Sequence, residues 1–146
     1  MASGGPARAE ALALAQRALA RRDLSEHELR ERLERAGLEA TAADEALEQL
    51  RRSGLVDDGR FATERARVLA ERGKGDAVIR FDLAGHGIAA DLVESTVAAL
   101  EPERARAERV VSRRGSGAKT ARLLASRGFG DEIVALVAEA GIAQER

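Results

Sequence analysis

Apolar residues return along this chain at helical spacing, and each run ends on a glycine followed by another apolar residue. The pattern is clearest from Leu50 to Ile88. There Gly54 closes one helix and Asp57 or Asp58 caps the next. Phe61, Ala62, Ala66, Leu69 and Ala70 then mark one face of a helix from Arg60 to Arg72. Glycine at such stops reaches the left-handed backbone conformation without a Cβ penalty. Aligned on these glycines, the chain repeats. Leu29, Leu33, Gly37 and Leu38 recur as Ile79, Leu83, Gly87 and Ile88, and again as Thr120, Leu124, Gly128 and Phe129. Downstream, Leu47 and Leu50 match Val97 and Leu100, while the last copy carries Ile133, Leu136 and Val137 after a shorter turn.

Three such punctuations predict three repeats of three helices, at 7–57, 58–101 and 102–146, behind a disordered start at 1–6. The first helix is expected from Ala7 to Arg21, with Ala11, Leu12, Ala15 and Leu19 inward. Ser25 and Glu28 form a capping box for a second helix ending at Ala36. Thr41 to Asp44 repeats that cap more weakly for a third, reaching Ser53. Asp76 caps a short helix that stops at Gly85-His86-Gly87, Asp91 to Leu100 follows, and Pro102 opens a seventh. Gly115-Ser116-Gly117 breaks the chain before a helix to Arg127, and the last spans Asp131 to Ala140 before Gly141. The fold class is therefore all-α: tandem, helix-turn-helix-like trios stacked into an elongated, curved body. One trio of about 45 residues buries too small a core to be comfortable alone, and stacking on neighbours supplies the rest.

Composition narrows the function classes. The 146 residues contain no Cys, so a disulfide framework and a Cys-based zinc site are excluded. No apolar run approaches the roughly 20 residues that span a bilayer, and Met1 to Glu10 lacks the charged and apolar regions of a signal peptide, which points to a cytoplasmic protein. Three Phe, with no Trp or Tyr, remove the usual platform for stacking single-stranded bases.

Net charge is −1, but the charge is unevenly spread. Arg104 to Arg127 holds eight basic residues (Arg104, Arg106, Arg109, Arg113, Arg114, Lys119, Arg122, Arg127) against Glu108 alone, whereas residues 10–60 and 61–103 are each at −3. Arg106, Arg109 and Arg113 share one helix face, so the charge is presented as a stripe. A stripe of this kind tracks phosphates, docks on an acidic protein surface, or is simply a solvated helix face.

Catalytic constellations are weak. His27 lies in the capping box and His86 in a glycine turn of another repeat, so a shared metal or proton relay is not expected. Asp57-Asp58 is better explained as a helix start, where the macrodipole favours both acids. Gly115-Ser116-Gly117-Ala118-Lys119-Thr120 lacks the glycines and the preceding strand of a phosphate-binding loop and reads as a linker. Read as recognition helices, Ala40 to Glu45 and Ala89 to Glu94 are apolar and acidic, which disfavours sequence-specific DNA reading.

Several motifs in order resemble a known family: Leu24-Ser25-Glu26-His27-Glu28-Leu29 with Leu33 and Gly37; Gly54 to Ala62; Gly73-Lys74-Gly75 with Ile79, Leu83, Gly87 and Ile88; and Arg127-Gly128-Phe129. These look like the successive motifs of the RecX family, over about Ala11 to Leu136. The resemblance implies a non-enzymatic modulator of the RecA recombinase, tied to recombination, DNA repair and the SOS response. Such a protein binds the groove of the RecA–DNA filament and inhibits its ATPase, strand-exchange and co-protease activities. It implies no catalytic residue and no cofactor. It implies a protein partner, DNA contacted weakly or within the complex, no membrane, and a monomer. The positions matching the family's basic, partner-facing side are Arg65, Arg72, Lys74 and Arg80, to which the third-repeat residues Arg106, Arg109, Arg113, Arg114, Lys119, Arg122 and Arg127 are added. The alternative is a non-specific DNA-binding helical protein acting without RecA.

Overall fold

The computed structural model describes residues 5–145, and their side chains as far as Gly141. Among the described residues there are nine α-helices and no strand: α1 (Gly5–Arg21), α2 (Glu26–Arg35), α3 (Ala40–Arg52), α4 (Asp58–Glu71), α5 (Asp76–Gly85), α6 (Ala90–Ala98), α7 (Glu103–Arg114), α8 (Ala118–Ser126) and α9 (Asp131–Glu145). The array is all-α, as the periodicity requires. By contact the chain divides into two compact units. One runs up to Phe61 and takes in His86–Ile88; the other holds Ala62–Gly85 and the chain from Ala89 onward.

In the first unit, Leu29 and Leu33 of α2 and Ala43, Ala46, Leu47 and Leu50 of α3 close over Ala11 and Ala15 of α1, with Leu24 and Val56 at the edges. Small residues on α1 let the helices approach, and each fully buried leucine contributes about 1.5–3 kcal/mol. The capping box forms as expected: Ser25 Oγ accepts the Glu28 N–H and Glu28 Oε1 accepts the Ser25 N–H at 3.1 Å. Ser25 also donates its hydroxyl to the His86 carbonyl at 2.6 Å, which fastens the His86–Ile88 turn to the start of α2. The two histidines therefore meet at this cap, contrary to their separation in sequence. His27 packs on Gly87 and pairs with Glu31 at 2.5 Å, while His86 lies 3.3 Å from Glu28 and edge-on to Phe61. No group of three or more metal-ligating side chains occurs among the described residues.

The acidic pair divides its work. Asp57 Oδ1 accepts the Arg60 N–H at 3.0 Å and is the cap of α4, whereas Asp58 Oδ1 accepts the Glu26 N–H at 2.8 Å and satisfies an open donor at the start of α2. Burial pushes the Asp58 carboxyl above its ordinary pKa, opposed by that hydrogen bond.

In the second unit Ile79 and Leu83 of α5 are fully buried, Val93 and Val97 of α6 nearly so, and Ala107, Ala121, Leu124, Phe129 and Val137 form the core of α7, α8 and α9. The repeat seen in sequence is a repeat of turns. Gly37, Gly87 and Gly128 have φ of +85°, +78° and +90°, and the N–H that follows Gly37 or Gly128 bonds back to the carbonyl of Leu33 or Leu124 at 3.1 and 3.0 Å.

Several boundaries move. The first helix begins at Gly5, with Pro6 in its opening turn where a missing N–H costs nothing; residues 1–4 lie outside the described residues. The cap of α3 is Glu39, without a side-chain bond, and Thr41 lies inside the helix. Asp76 is the first residue of α5, its carboxylate held by Arg106 rather than capping. Pro102 sits at the N-cap of α7, one position before the helix. The last helix does not stop at Gly141. That glycine is internal because a Cβ there would overlap the backbone of Gly117, whose N–H bonds Val137 O at 3.1 Å.

Two alanine substitutions separate backbone conformation from packing. Gly37→Ala meets nothing within 4 Å and should lose only the left-handed penalty, about 1 kcal/mol. Gly128→Ala must also displace Val78, whose Cγ2 and N would lie 2.5 and 2.8 Å from the new Cβ, and should lose at least about 2 kcal/mol in urea unfolding followed by circular dichroism. Equal losses would refute the packing role given to Gly128.

Candidate functional site

The basic residues of α7 and α8 do not lie along a plain helix face. In the second unit, Arg109, Arg113 and Arg114 from α7 face Arg72 and Gly73 at the end of α4 and Arg127 after α8, around a cavity of about 600 Å³ floored by Val110 and Phe129. A neighbouring cavity of about 470 Å³ shares Arg114 and is lined by Lys119, Thr120, Arg122, Leu123 and Ser126.

This arrangement rests on the Gly73-Lys74-Gly75 turn. Gly73 has φ of +82°, and a Cβ there would lie 2.8 Å from Arg127 Nη1, so the Arg127 guanidinium rests directly on the glycine. The Gly75 N–H donates to the Arg127 carbonyl at 2.8 Å and the Ala77 N–H to the Gly128 carbonyl at 3.2 Å. Any Cβ on Gly75 would overlap the Gly128 and Phe129 backbone. Glu103 ties the same two turns together, one carboxylate oxygen accepting the Asp76 N–H at 2.7 Å and the other the Gly130 N–H at 2.8 Å.

One expected site residue is not where the stripe would put it. Arg106 is 6% exposed: it donates to the Glu101 and Lys74 carbonyls at 3.0 and 2.9 Å, pairs with Asp76, and lies over Phe129 at 5.9 Å from the ring centre. Its guanidinium is a strut in the groove floor, so the presented stripe loses its first member. The reason is local, because Arg106 stands on α7 beside Val110, at the border between the charged face and the apolar one.

The remaining residues fall into two groups. Arg65 is held by Asp82 through two bonds of 2.7 Å, Arg80 by Glu94 at 3.0 Å, and Arg109 by Glu101 at the rim. Among the described residues no carboxylate pairs with Arg72, Arg113, Arg114, Lys119, Arg122 or Arg127. Glu71, the one acid on the first cavity, is taken by Arg67 at 2.6 Å, and bonds to Glu64 and Glu71 hold the Arg67 guanidinium above its ordinary pKa. Arg65, Lys74 and Arg80 line neither cavity. Arg72, which only the family resemblance singles out in the sequence, lines the same cavity as the α7 arginines although it stands more than thirty residues before Arg109.

Fold and site define the class as an all-α protein of tandem three-helix domains. Two family models match in the corresponding order: the first three-helix domain of RecX over residues 11–50 and the second over residues 57–97. The chain belongs to the RecX family. It is 39% identical over 70 residues to the regulatory protein RecX of Xanthomonas campestris pv. campestris strain B100, covering 48% of this chain and 43% of that one. It is 36% identical over 81 residues to that of Xanthomonas axonopodis pv. citri strain 306, covering 56% and 50%. The chain thus matches at most half the length of these relatives. In fold it resembles the crystal structure of RecX from Lactobacillus salivarius, with a TM-score of 0.79 at 18% identity over 92% of this chain and 96% of that one. A second crystal structure of a regulatory protein RecX gives 0.76 at 18% identity, over 91% and 73%.

Burial separates the roles of two arginines on α7. Arg106→Met strands the Asp76 carboxylate and two carbonyls and should lose about 3 kcal/mol in urea unfolding. Arg113→Gln, on the surface, should stay within about 0.5 kcal/mol of the parent. Indistinguishable midpoints would contradict the strut.

Proposed function

We propose that this chain is a non-enzymatic modulator of the RecA recombinase that binds the groove of the RecA–DNA filament and inhibits its ATPase, strand-exchange and co-protease activities. The observation that carries the reading is the order of the two matched three-helix domains, together with relatives named as regulatory protein RecX. The arginine-walled groove supplies a surface for a negatively charged partner, and steric occupation or bridging of neighbouring filament subunits needs no reactive group. In this reading the working array is three repeats, at 7–57, 58–101 and 102–146. It acts in the cytoplasm as a monomer, in recombination, DNA repair and the SOS response, without a cofactor. Among the described residues, no helix is long and apolar enough to cross a membrane. Its contact surface comprises Arg72, Arg109, Arg113, Arg114, Lys119, Arg122 and Arg127, with Lys74 at the turn; Arg65 and Arg80 take part only by exchanging their present carboxylate partners.

A second reading, a non-specific DNA-binding helical protein acting without RecA, draws on the same cluster of arginines. The two part company in one assay. Added at substoichiometric to equimolar amounts, the full chain should lower the DNA-dependent ATPase of its cognate RecA. Reversal of Arg109, Arg113 and Arg114 to Glu should weaken that effect while helix content by circular dichroism stays constant. An unchanged ATPase together with unchanged filament stability rejects the RecA reading.

A further inference from the structure

We infer that the second unit carries both halves of a contact between copies of this chain: Phe81 of one copy enters the apolar groove between α7 and α9 of another. The inference goes beyond the regulatory reading above. Phe81 is the first half. It is 83% exposed on α5, whereas Phe61 and Phe129 are buried. Ala77, Ala84 and Gly85, one turn to either side on the same helix face, are exposed and too small to keep another surface away from the ring. The groove is the second half. Val111 of α7 and Ile133, Leu136, Val137 and Ala140 of α9 line a cavity of about 360 Å³, room for a phenyl ring and the helix stem behind it. Leu136 is left 44% exposed there. Residues 133–138 of α9 are apolar without a break, more than its packing on α7 and α8 covers.

Charge and area select the occupant. Beside Phe81, Arg80 is closed by Glu94 and Asp82 by Arg65; at the groove, Arg104 is closed by Glu108 at 3.7 Å. The charged side chains that flank the ring and line the groove are thus matched in pairs, and a nucleic acid or a strongly charged peptide gains no attraction from them. What both surfaces lack is apolar cover, and every copy of the chain holds a projecting ring and a hole of the same chemistry. One ring in one groove buries well under the roughly 1,200 Å² of a stable interface, so the dilute chain stays monomeric and copies associate only near millimolar concentration. A polymer that holds copies side by side supplies effective concentrations of that order. Only this last consequence rests on the regulatory reading.

Sedimentation velocity of the full chain at concentrations up to about 1 mM, where a millimolar contact is substantially occupied, reads the association. We expect the parent to sediment faster as concentration rises, with a Kd that high salt leaves almost unchanged. Phe81→Ala and Leu136→Lys should each raise that Kd by about tenfold or more. An equimolar mixture of the two pairs the intact groove of one with the intact ring of the other and should recover dimers. Circular dichroism checks that Leu136→Lys folds; if it does not, Ala140→Lys takes its place at an exposed position of the same groove. Because the chain has no Cys, a short bismaleimide reads the geometry as well. Ala84→Cys chains mixed with Ser112→Cys chains should cross-link to each other, and Phe81→Ala added to the former should abolish the product. A parent that stays monomeric, single variants that associate as the parent does, or a mixture without recovery overturns the inference. A monomeric parent whose Phe81→Ala variant no longer inhibits RecA overturns it too and assigns the ring to RecA. Self-association with no effect on RecA would leave this contact standing and sink the regulatory reading alone.

Discussion

At Gly75 two turns of the second unit meet with no side chain between them. The 73–75 turn, which ends α4, lies against the 127–130 turn, which ends α8, closely enough for the Gly75 and Gly128 backbones to touch and for the Gly75 and Ala77 N–H groups to donate to the Arg127 and Gly128 carbonyls. Everything around the groove follows from that approach. It sets Arg127 on Gly73, brings the Lys74 carbonyl to Arg106, and leaves the first donors of α5 and α9 near enough for one carboxylate, Glu103, to serve both. A methyl group at Gly75 would overlap the Gly128 and Phe129 backbone, and one at Gly128 would meet Val78 Cγ2 at 2.5 Å, so either would push the two segments apart.

The same contact explains how arginine is used in two ways within a few residues. Where the guanidinium is enclosed, as in Arg106, it stabilises only because two carbonyls and a carboxylate meet it; a buried charge without such partners would be too costly to retain. Where it is exposed and unpaired, as in Arg113 and Arg114, it contributes little to stability and leaves the local field positive. The fold thus commits one arginine to rigidity and leaves Arg113 and Arg114 on the surface without a carboxylate partner among the described residues. Elsewhere on the second unit Asp82 is held by Arg65 and Glu94 by Arg80.

Much of this is legible in the order of residues alone. The spacing of Leu29, Leu33 and Gly37, repeated at Ile79 and at Thr120, fixes where helices bury and where they stop, because a left-handed glycine and a returning apolar residue are local requirements of one turn. Ser25 and Glu28 are legible for the same reason. What escapes is set by distant neighbours. Gly141 looks like a stop and is a contact, since nothing in its own surroundings announces Gly117. Arg106 fits the charged stripe by spacing and the core by packing, and only the positions of Lys74 and Asp76 decide between them. The meeting of His27 with the turn at His86 depends likewise on a contact between residues far apart in the chain.

The central claim is that the two glycine turns form one rigid backbone junction. Native-state hydrogen exchange at the Gly75 and Ala77 amides measures it most directly, because their acceptors are the Arg127 and Gly128 carbonyls. The account predicts protection comparable with the interior amides of α8. Exchange as fast as at an exposed turn such as Gly115 would contradict it.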